Sequence, residues 1–365
     1  SPEFAGWAPT FAPAGRPPRT GDVWASPGHA RTLRLIAESH AEDFYQGATA
    51  RAIADFAAAT GGWLADRDLA EHTSTWVAPI QVCYHGYDVW EIPPNGQGIT
   101  TLIALNILEE LDLRTLQRES VESYHLQIEA LKLAYADALA YVADPSRVPV
   151  PVAGLLDPAY ARARAALIGN EALWPQAGQP RAGGTVYLCA ADGDGMMVSF
   201  IQSNYMGFGS GIVIPGAGIA LQNRGHDFRL DATHPNHLAP GKRPYHTIIP
   251  GFLSRDGQAI GPFGVMGGYM QPQGHLQMVV NLVDYGFNPQ ASLDAPRWQW
   301  TRGRTVLLED QVPRPVLEGL ALRGHEVSIE PTDGLFGRGQ IIWRLPSGVY
   351  VAGSEKRADG AVVGY

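Results

Sequence analysis

The sequence predicts an α+β fold, in which helices dominate the first half of the chain and strands dominate the second half. Apolar residues recur every three or four positions through much of residues 27–168, as they do along one face of a helix. After Gly184, short apolar runs alternate with glycine-rich turns, which is the pattern of strands. We therefore predict a mostly helical region, residues 1–184, and a mostly stranded region, residues 185–365, which together form one domain.

The elements of the first half are set by this periodicity and by the residues that interrupt it. Gly61 and Gly62 end one predicted helix, which is a common role of glycine at a helix C-terminus, and the longest predicted helix stops near Pro145. A hairpin is predicted around Gly86, within Val77–Ile92. The predicted helices are His29–Ser39, Glu42–Ala59, Ile99–Leu111, Ser120–Tyr141 and Tyr160–Ile168.

In the second half, Asp192-Gly193-Asp194-Gly195 predicts a hairpin turn between the first two strands. The predicted strands are Val186–Ala191, Met196–Gln202, Ile212–Pro215, Gly218–Leu221, Thr247–Phe252, Val327–Glu330, Gln340–Arg344 and Val349–Gly353. Two helices are predicted among them, His275–Tyr285 and Pro313–Arg323.

The composition limits the class of protein. The chain has 365 residues, of which 45% are hydrophobic and 17% charged, so it can bury a large core. Its net charge of −9 and the absence of a Lys/Arg cluster argue against a nucleic-acid partner. No apolar run reaches the ~18 residues that a membrane helix needs.

The cysteines and histidines do not suggest a metal centre. Cys83 and Cys189 lie in apolar, strand-like runs, which predicts buried free thiols. His125 and Glu129 are four residues apart, and we expect an ordinary contact on a helix surface. With no CxxC or HExxH motif present, we predict neither a structural metal nor a cofactor.

Thr185 is the candidate nucleophile. It follows a segment rich in Pro, Gly and Ala, residues 175–184, and directly precedes an apolar run. Cleavage of the Gly184–Thr185 bond would free an α-amino group with a pKa near ~8, which could act as general base for the hydroxyl of the same residue. This arrangement is typical of a self-cleaving amidase, although Thr before a strand is also common without such a role.

Glycine-rich segments downstream could complete a site around Thr185. Gly267 and Gly268 precede a predicted helix, where their N–H groups could stabilise an oxyanion. Each such segment could equally serve only to shape a tight turn. A dinucleotide site is poorly supported, because no GxGxxG motif joins a strand to a helix. The segments are Tyr205–Gly211, Gln222–Gly225, Pro240–Thr247 and Gly264–Tyr269.

The order of these motifs resembles the gamma-glutamyltranspeptidase family over residues 20–365. The string Thr-Val-Tyr-Leu-x-x-Ala-Asp-x-x-Gly-x-x-Val-Ser at residues 185–199 is similar to the start of that family's small subunit. The other matching segments are Asp43–Gly47, Gly61-Gly62, Asp68-Leu69, Pro93–Gly98, Glu129–Ala134, Phe208–Gly211, Pro240–Pro244, Gly267-Gly268, Asp294–Arg297 and Gly337–Gln340.

The resemblance implies a four-layer αββα sandwich of the N-terminal-nucleophile hydrolase type, incomplete at its N-terminus. It further implies cleavage between Gly184 and Thr185, and attack by Thr185 on a γ-glutamyl amide such as glutathione. The acyl group would pass to water or to an amino-acid acceptor, and the two cleavage products would form a heterodimer. The compartment is left open between a bacterial cytoplasm and a bacterial periplasm.

Residue by residue, the resemblance assigns further roles. Ser203 matches a hydroxyl residue that supports the nucleophile, and Gly267 and Gly268 match the oxyanion pair. Asp227 matches the acid that binds the α-amino group of the substrate, as a carboxylate in a cleft can. The remaining predicted substrate-binding residues are Tyr205, Arg224, His246 and Thr247.

The sequence also departs from the family pattern. The family's N-terminal portion, with the Arg that pairs with the glutamyl α-carboxylate, has no counterpart here. His246 and Thr247 replace paired serines, and Gly184 replaces an Asp. Arg224 replaces a Gln and could bind a carboxylate through its forked donors, or could equally be a solvent-facing charge. Three hypotheses therefore stay open: a γ-glutamyl hydrolase or transferase, an amidase similar to cephalosporin acylases, and an uncleaved, inactive precursor-like chain.

Overall fold

The structure, a computed structural model, describes residues 1–175, 185–331 and 333–365, and Gly184 lies outside these ranges. The chain divides into two compact units, and each consists of two segments. The first unit is Ser1–Trp76 with Asn204–Arg224, and the second is Val77–Ser203 with Gly225–Tyr365. Within the described ranges, no helix is both long and apolar enough to cross a membrane.

The first unit is helical. Gly61, with a φ of 75°, ends its longest helix as predicted. The predicted helix Glu42–Ala59 is wrong in one respect, because it breaks at Gly47, where the Asp43 carboxylate accepts a hydrogen bond from the Ala48 N–H over 2.9 Å. The helices of this unit are α1 (Trp7–Phe11), α2 (Pro27–Glu38), α3 (Glu42–Gln46), α4 (Ala48–Thr60) and α5 (Asp66–Ala70).

The segment 204–224 contributes a loop to this first unit. Ile214 and Ala217 pack with Ile53 of α4 in a small apolar core. The strands predicted at 212–215 and 218–221 are wrong, because only an isolated bridge joins Val213 to Ala220. Positive φ angles of 74° at Gly216 and 70° at Gly218 turn the chain too sharply for extended strands.

The second unit is built on an antiparallel sheet. The strands of the unit are β1 (Ile80–Tyr84), β2 (Tyr87–Glu91), β3 (Val186–Ala191), β4 (Met197–Gln202), β5 (Gly251–Arg255), β6 (Gln258–Met266), β7 (Trp298–Arg302), β8 (Thr305–Leu308), β9 (Glu326–Ile329), β10 (Arg338–Arg344) and β11 (Tyr350–Ser354). Among the described residues the large sheet has six strands in the order β1-β2-β5-β6-β10-β11.

Helices pack on one face of the large sheet. The helices of the unit are α6 (Gly98–Glu109), α7 (Val121–Tyr141), α8 (Val152–Leu155), α9 (Pro158–Ala165), α10 (Met270–Val283), α11 (Pro289–Asp294) and α12 (Arg314–Leu322). Helix α6 is apolar on every side and is buried between the sheet and α7. Ser120 caps α7 by accepting a hydrogen bond from the Ser123 N–H. Phe263 and Val265 of β6 point into this core.

The hairpin β3–β4 packs on the opposite face of the large sheet, against β6 and β10. Helices, large sheet and hairpin are thus three layers of the αββα arrangement that the resemblance implies. A third sheet, β7-β8-β9, includes the parallel pair β8–β9. The predicted α+β class is confirmed.

Several predictions for the second half need correction. Strand β6 was not predicted because Gly261, Pro262 and Gly264 imitate a turn, and β7 and β8 were also missed. Helix α10 begins at Met270 rather than His275, since Pro272 and Gly274 lie within it. Cys83 is exposed, contrary to the predicted buried thiol, because it alternates with the core-facing Val82 and Tyr84 of β1.

Candidate active site

Thr185 immediately precedes β3. Its hydroxyl oxygen is buried and has no hydrogen-bond partner in the part of the chain that the structure describes. Strands β3 and β4 pair with Val186 opposite Gln202, so one further step of the antiparallel register brings Ser203 opposite Thr185. The structure therefore brings these two predicted site residues together at the open end of the hairpin.

The hairpin directs Thr185 toward the large sheet. Side chains alternate along a strand, so Thr185, Tyr187 and Cys189 share one face of β3. The Tyr187 ring on this face lies directly on Gly264 of β6, and its hydroxyl is 2.9 Å from the Ser199 hydroxyl. Val186 and Leu188, on the other face, are exposed.

Two other side chains with potentially nucleophilic groups, Tyr187 and Cys189, share this face of β3. Burial raises the pKa of the Cys189 thiol to about 12, so this cysteine is protonated and a poor nucleophile at neutral pH. Burial also raises the pKa of Tyr187 well above its ordinary value. Thr185 is therefore the stronger nucleophile candidate on this strand.

Gly267 and Gly268 join β6 to α10. Their φ angles of 136° and 62° are accessible mainly to glycine. Their carbonyl groups accept hydrogen bonds from the N–H groups of Met270 and Gln271, each over 3.1 Å. The two glycines thus lie at the N-terminus of a 14-residue helix, where the backbone dipoles favour a negative charge.

Gln97 fixes the position of this glycine pair. Its side-chain amide donates hydrogen bonds to the carbonyl oxygens of Thr247 over 2.6 Å and of Gly268 over 2.9 Å. His246 pairs with Gly96 in a short bridge, which holds residues 246 and 247 beside the same turn. Gln97 was not predicted from the sequence as a site residue. The signal that could have identified it is a polar residue directly before the apolar helix α6.

Asp227 lies next to the residue that follows the glycine pair. The Tyr269 hydroxyl donates a hydrogen bond to its carboxylate over 3.4 Å, and the Asn236 amide donates to its backbone carbonyl over 2.8 Å. The Asp227 side chain is only 4% exposed. The rings of Tyr269 and Tyr245 stack with 5.8 Å between centroids, which supports the hydroxyl that contacts Asp227.

Tyr205 and Arg224 belong to the first unit and contact each other. The Arg224 guanidinium lies 5.7 Å from the centre of the Tyr205 ring, a cation–π contact, and both residues are buried. The Arg224 N–H also donates a short hydrogen bond to the side chain of Gln222. The interpretation of Arg224 as a solvent-facing charge is therefore wrong.

One cluster in the second unit could in principle hold a metal ion. Ligand atoms of His125, Glu129 and His325 lie within 4.8 Å of one another. However, the Lys132 ammonium donates to the same carboxylate over 2.7 Å, and its charge would oppose a bound cation. The predicted surface contact of His125 with Glu129 is wrong, because both side chains are fully buried.

The chain is similar to known proteins over nearly its whole length. The whole chain, residues 1–365, matches the family model described as Gamma-glutamyltranspeptidase. The chain is 36% identical over 365 residues to the Glutathione hydrolase-like YwrD proenzyme of Bacillus subtilis (strain 168), covering 98% of this chain and 69% of the relative.

It is also 34% identical over 366 residues to the Acylase ACY 1 proenzyme of Pseudomonas sp. (strain SE83), covering 98% of this chain and 64% of that protein. The crystal structure of cephalosporin acylase from Bacillus halodurans superposes with a TM-score of 0.95 at 55% identity, over 100% of this chain and 67% of that one. The chain thus spans about two thirds of the length of these relatives. It belongs to the gamma-glutamyltranspeptidase family.

Proposed function

We propose that this protein is an amide hydrolase that cleaves its own chain before Thr185 and then uses Thr185 as its nucleophile. The observation that supports this most directly is the position of Thr185: its side chain lies on the face of β3 that packs on β6, and β6 leads into Gly267 and Gly268.

In the proposed cleavage, the Thr185 hydroxyl oxygen attacks the carbonyl carbon of Gly184. The peptide C–N bond breaks, an ester forms, and the Thr185 nitrogen takes the hydroxyl proton. Water then hydrolyses the ester, which leaves a carboxylate on Gly184 and regenerates the hydroxyl beside a free α-amino group. The two products, residues 1–184 and 185–365, would stay together as a heterodimer.

In the proposed turnover, the freed amine removes the proton of the Thr185 hydroxyl as the oxygen attacks the substrate amide. The N–H groups of Gly267 and Gly268 stabilise the oxyanion, which is where the dipole of α10 favours negative charge. Ser203, opposite Thr185 in the hairpin register, supports the nucleophile. The amine returns the proton to the leaving nitrogen, and water or an amino acid then accepts the acyl group.

For the acyl donor we propose a γ-glutamyl amide such as glutathione. The buried carboxylate of Asp227 suits the α-ammonium of a glutamyl group, because a charged pair in a cleft gains more than a solvated pair. Tyr205, Arg224, His246 and Thr247 are the further proposed substrate-binding residues, with Arg224 as the candidate partner for a carboxylate.

A second candidate donor is a cephalosporin or similar compound with an amide-linked acyl side chain. The 55% identity with a cephalosporin acylase favours it, since this value exceeds the identities of 36% and 34% with the two relatives described above. Rates on matched γ-glutamyl and glutaryl anilides distinguish the two donors, because only the γ-glutamyl compound has an α-ammonium group.

Intact-mass measurement under denaturing conditions tests the proposal. After incubation we expect two fragments, the second beginning at Thr185, and an uncleaved chain in the Thr185→Ala variant. Thr185→Ser, which keeps the hydroxyl, is the matched control and should still be cleaved. A wild-type chain that stays in one piece and releases no product from either anilide would instead identify an inactive, precursor-like protein and refute the proposal.

A further inference from the structure

A buried polar cluster in the second unit has no role in the reaction proposed above. It consists of His125, Glu129 and Lys132 of α7, together with His325 just before β9. All four residues are at most 4% exposed. The three residues of α7 lie on one side of the helix, since their spacing is close to whole helical turns. We call these four residues the anchor cluster.

Hydrogen bonds connect the members of the anchor cluster. The Lys132 ammonium donates to Glu129 Oε1 over 2.7 Å, and the same oxygen lies 3.6 Å from His325 Nε2. His325 Nε2 is 2.8 Å from His125 Nδ1. Burying two charged groups is costly unless each finds several partners, so the other contacts of the cluster indicate what it serves.

Those other contacts are made to the backbone of one segment, residues 169–173. His125 Nε2 is 2.8 Å from the Gly169 carbonyl oxygen. The Lys132 ammonium donates to the Leu173 carbonyl over 2.7 Å, and the Leu173 N–H donates to Glu129 Oε2 over 3.1 Å. The cluster thus binds both polar backbone groups of Leu173.

The proton positions follow from these contacts. A carbonyl oxygen can only accept, so His125 Nε2 bears its proton and donates to Gly169. Burial lowers the pKa of His125, so its Nδ1 carries no second proton and is the acceptor for the N–H of His325 Nε2. Both rings are neutral donors in a fixed orientation, which is suited to holding a backbone segment.

This segment directly precedes the proposed cleavage loop. Two residues after Leu173 the chain reaches Pro175, and residues 176–184 then connect it to Thr185. The Ala172 N–H also donates to the Arg323 carbonyl over 2.7 Å, and the Arg304 guanidinium lies 5.6 Å from the Trp174 ring centre. The N-terminal end of the connection is therefore held by several contacts, while its C-terminal end enters β3.

We propose that Lys132 and Glu129 are positioning residues for self-cleavage, which hold the chain before the loop so that the Gly184 carbonyl is presented to the hydroxyl of Thr185. Holding a connection at both ends reduces the number of conformations open to the residues within it. After cleavage, the same contacts keep residues 169–173 of the first product bound. This inference rests on the proposed function, since it concerns the same cleavage.

The decisive variant is Lys132→Met with Glu129→Met. Replacing both members of a buried ion pair by apolar side chains often leaves stability unchanged, whereas a single replacement leaves an unpaired charge. The double change removes both hydrogen bonds to Leu173. The matched control is Asp137→Leu with Arg164→Met, which removes the 3.0 Å ion pair between α7 and α9 without touching residues 169–173.

We expect the cleavage rate of the anchor variant to fall at least about tenfold, which is the effect of losing one charge-assisted hydrogen bond, while the control variant cleaves at close to the wild-type rate. Thermal midpoints are measured for both. Two results would show that the Lys132–Glu129 pair is only structural and would overturn the inference. One is an equal cleavage rate in the two variants. The other is a loss of cleavage rate that follows the loss in thermal midpoint equally in both variants.

A second measurement separates this inference from the proposed function. In the Thr185→Ala background the anchor changes should speed amide hydrogen exchange at Ala172 and Leu173, whereas the control changes should not. If the wild-type chain is not cleaved but the anchor changes still speed exchange at Ala172 and Leu173, the proposed cleavage is refuted. The anchor cluster would then be shown to hold residues 169–173 without a role in cleavage. Unchanged exchange at Leu173 would refute the anchor itself.

Discussion

The ring of Tyr187 lies on Gly264 so closely that a Cβ atom at residue 264 would be 2.4 Å from the ring atom Cε2. The contact joins the hairpin that follows Thr185 to the strand that leads into Gly267. Glycine is required at residue 264 because the ring occupies the space where a side chain would begin. The candidate nucleophile and the candidate oxyanion donors therefore belong to two layers in direct contact.

The first prediction concerns this contact. Gly264→Ala should lower the free energy of unfolding by about 1–3 kcal/mol, because an extra methyl group in a packed core forces neighbouring atoms apart. Urea unfolding followed by tryptophan fluorescence measures the change. Gly193→Ala is the control, since a Cβ atom there meets nothing within 4 Å. Equal stability of the two variants would contradict the role given to the Tyr187 contact.

The second prediction concerns Gln97. Gln97→Leu removes the side-chain amide that donates to the carbonyl groups of Thr247 and Gly268. We expect kcat/KM to fall on the order of a hundredfold, since small displacements of catalytic groups have effects of this size. Initial rates on the anilide that the wild type prefers measure it. The control is Gln117→Leu, which lies at an exposed position and should leave the rate unchanged. A fully active Gln97→Leu enzyme would show that the Gln97 amide does not orient the glycine pair.

Much of the fold follows from local signals. The Asp192–Gly195 turn forms as predicted, with a φ of 94° at Gly195, and α7 has its predicted bounds to within one residue. Strand β6 could not be predicted, because Gly264 weakens the strand pattern locally and is needed only when Tyr187 packs on it. Such a requirement arises from tertiary contacts and leaves no periodic signal.

The candidate site likewise has residues that local signals identify and residues whose role depends on tertiary contacts. Thr185 was identified from its neighbours in sequence, and its place before β3 agrees with that prediction. Gln97 was missed because its partners, Thr247 and Gly268, are 150 and 171 residues away. The burial of His125 was missed for a similar reason, since His325 lies 200 residues further along the chain. The assigned catalytic roles stay predictions until variants are measured.

The third prediction concerns substrate choice. Asp227→Asn removes the negative charge that is proposed to bind an α-ammonium group, so KM for a γ-glutamyl anilide should rise about tenfold or more. The rate on the matching glutaryl anilide should change little, because that compound has no ammonium group. Asp256→Asn, at an exposed site, is the control. Equal losses on both anilides would mean that Asp227 has a structural role instead.

The last prediction concerns acid stability and the two buried histidines. Burial lowers the pKa of His125, and burial together with the nearby cations, of which Lys132 has the largest effect, lowers the pKa of His325 to about 3. The remaining cations near these rings are Arg304 and Arg323.

The direction of the pH dependence follows from these shifts. An unfolded histidine takes up its proton near pH 6.5, while the folded protein resists protonation until far lower pH. Through His325, the folded state therefore has its full stability above about pH 6.5 and loses it as the pH falls toward 3, by up to about 1.4 kcal/mol per pH unit.

His325→Gln isolates this contribution, because a Gln amide can still donate to His125 but does not titrate. Urea unfolding of wild type and variant at pH 8, 7, 6 and 5 should give curves that converge as the pH falls, because only the wild type loses stability through His325. Carboxylates outside the anchor cluster that titrate at the lower end affect both proteins alike and cancel in the difference. A difference in unfolding free energy that stays constant from pH 8 to 5 would mean that His325 is not held neutral in the folded protein.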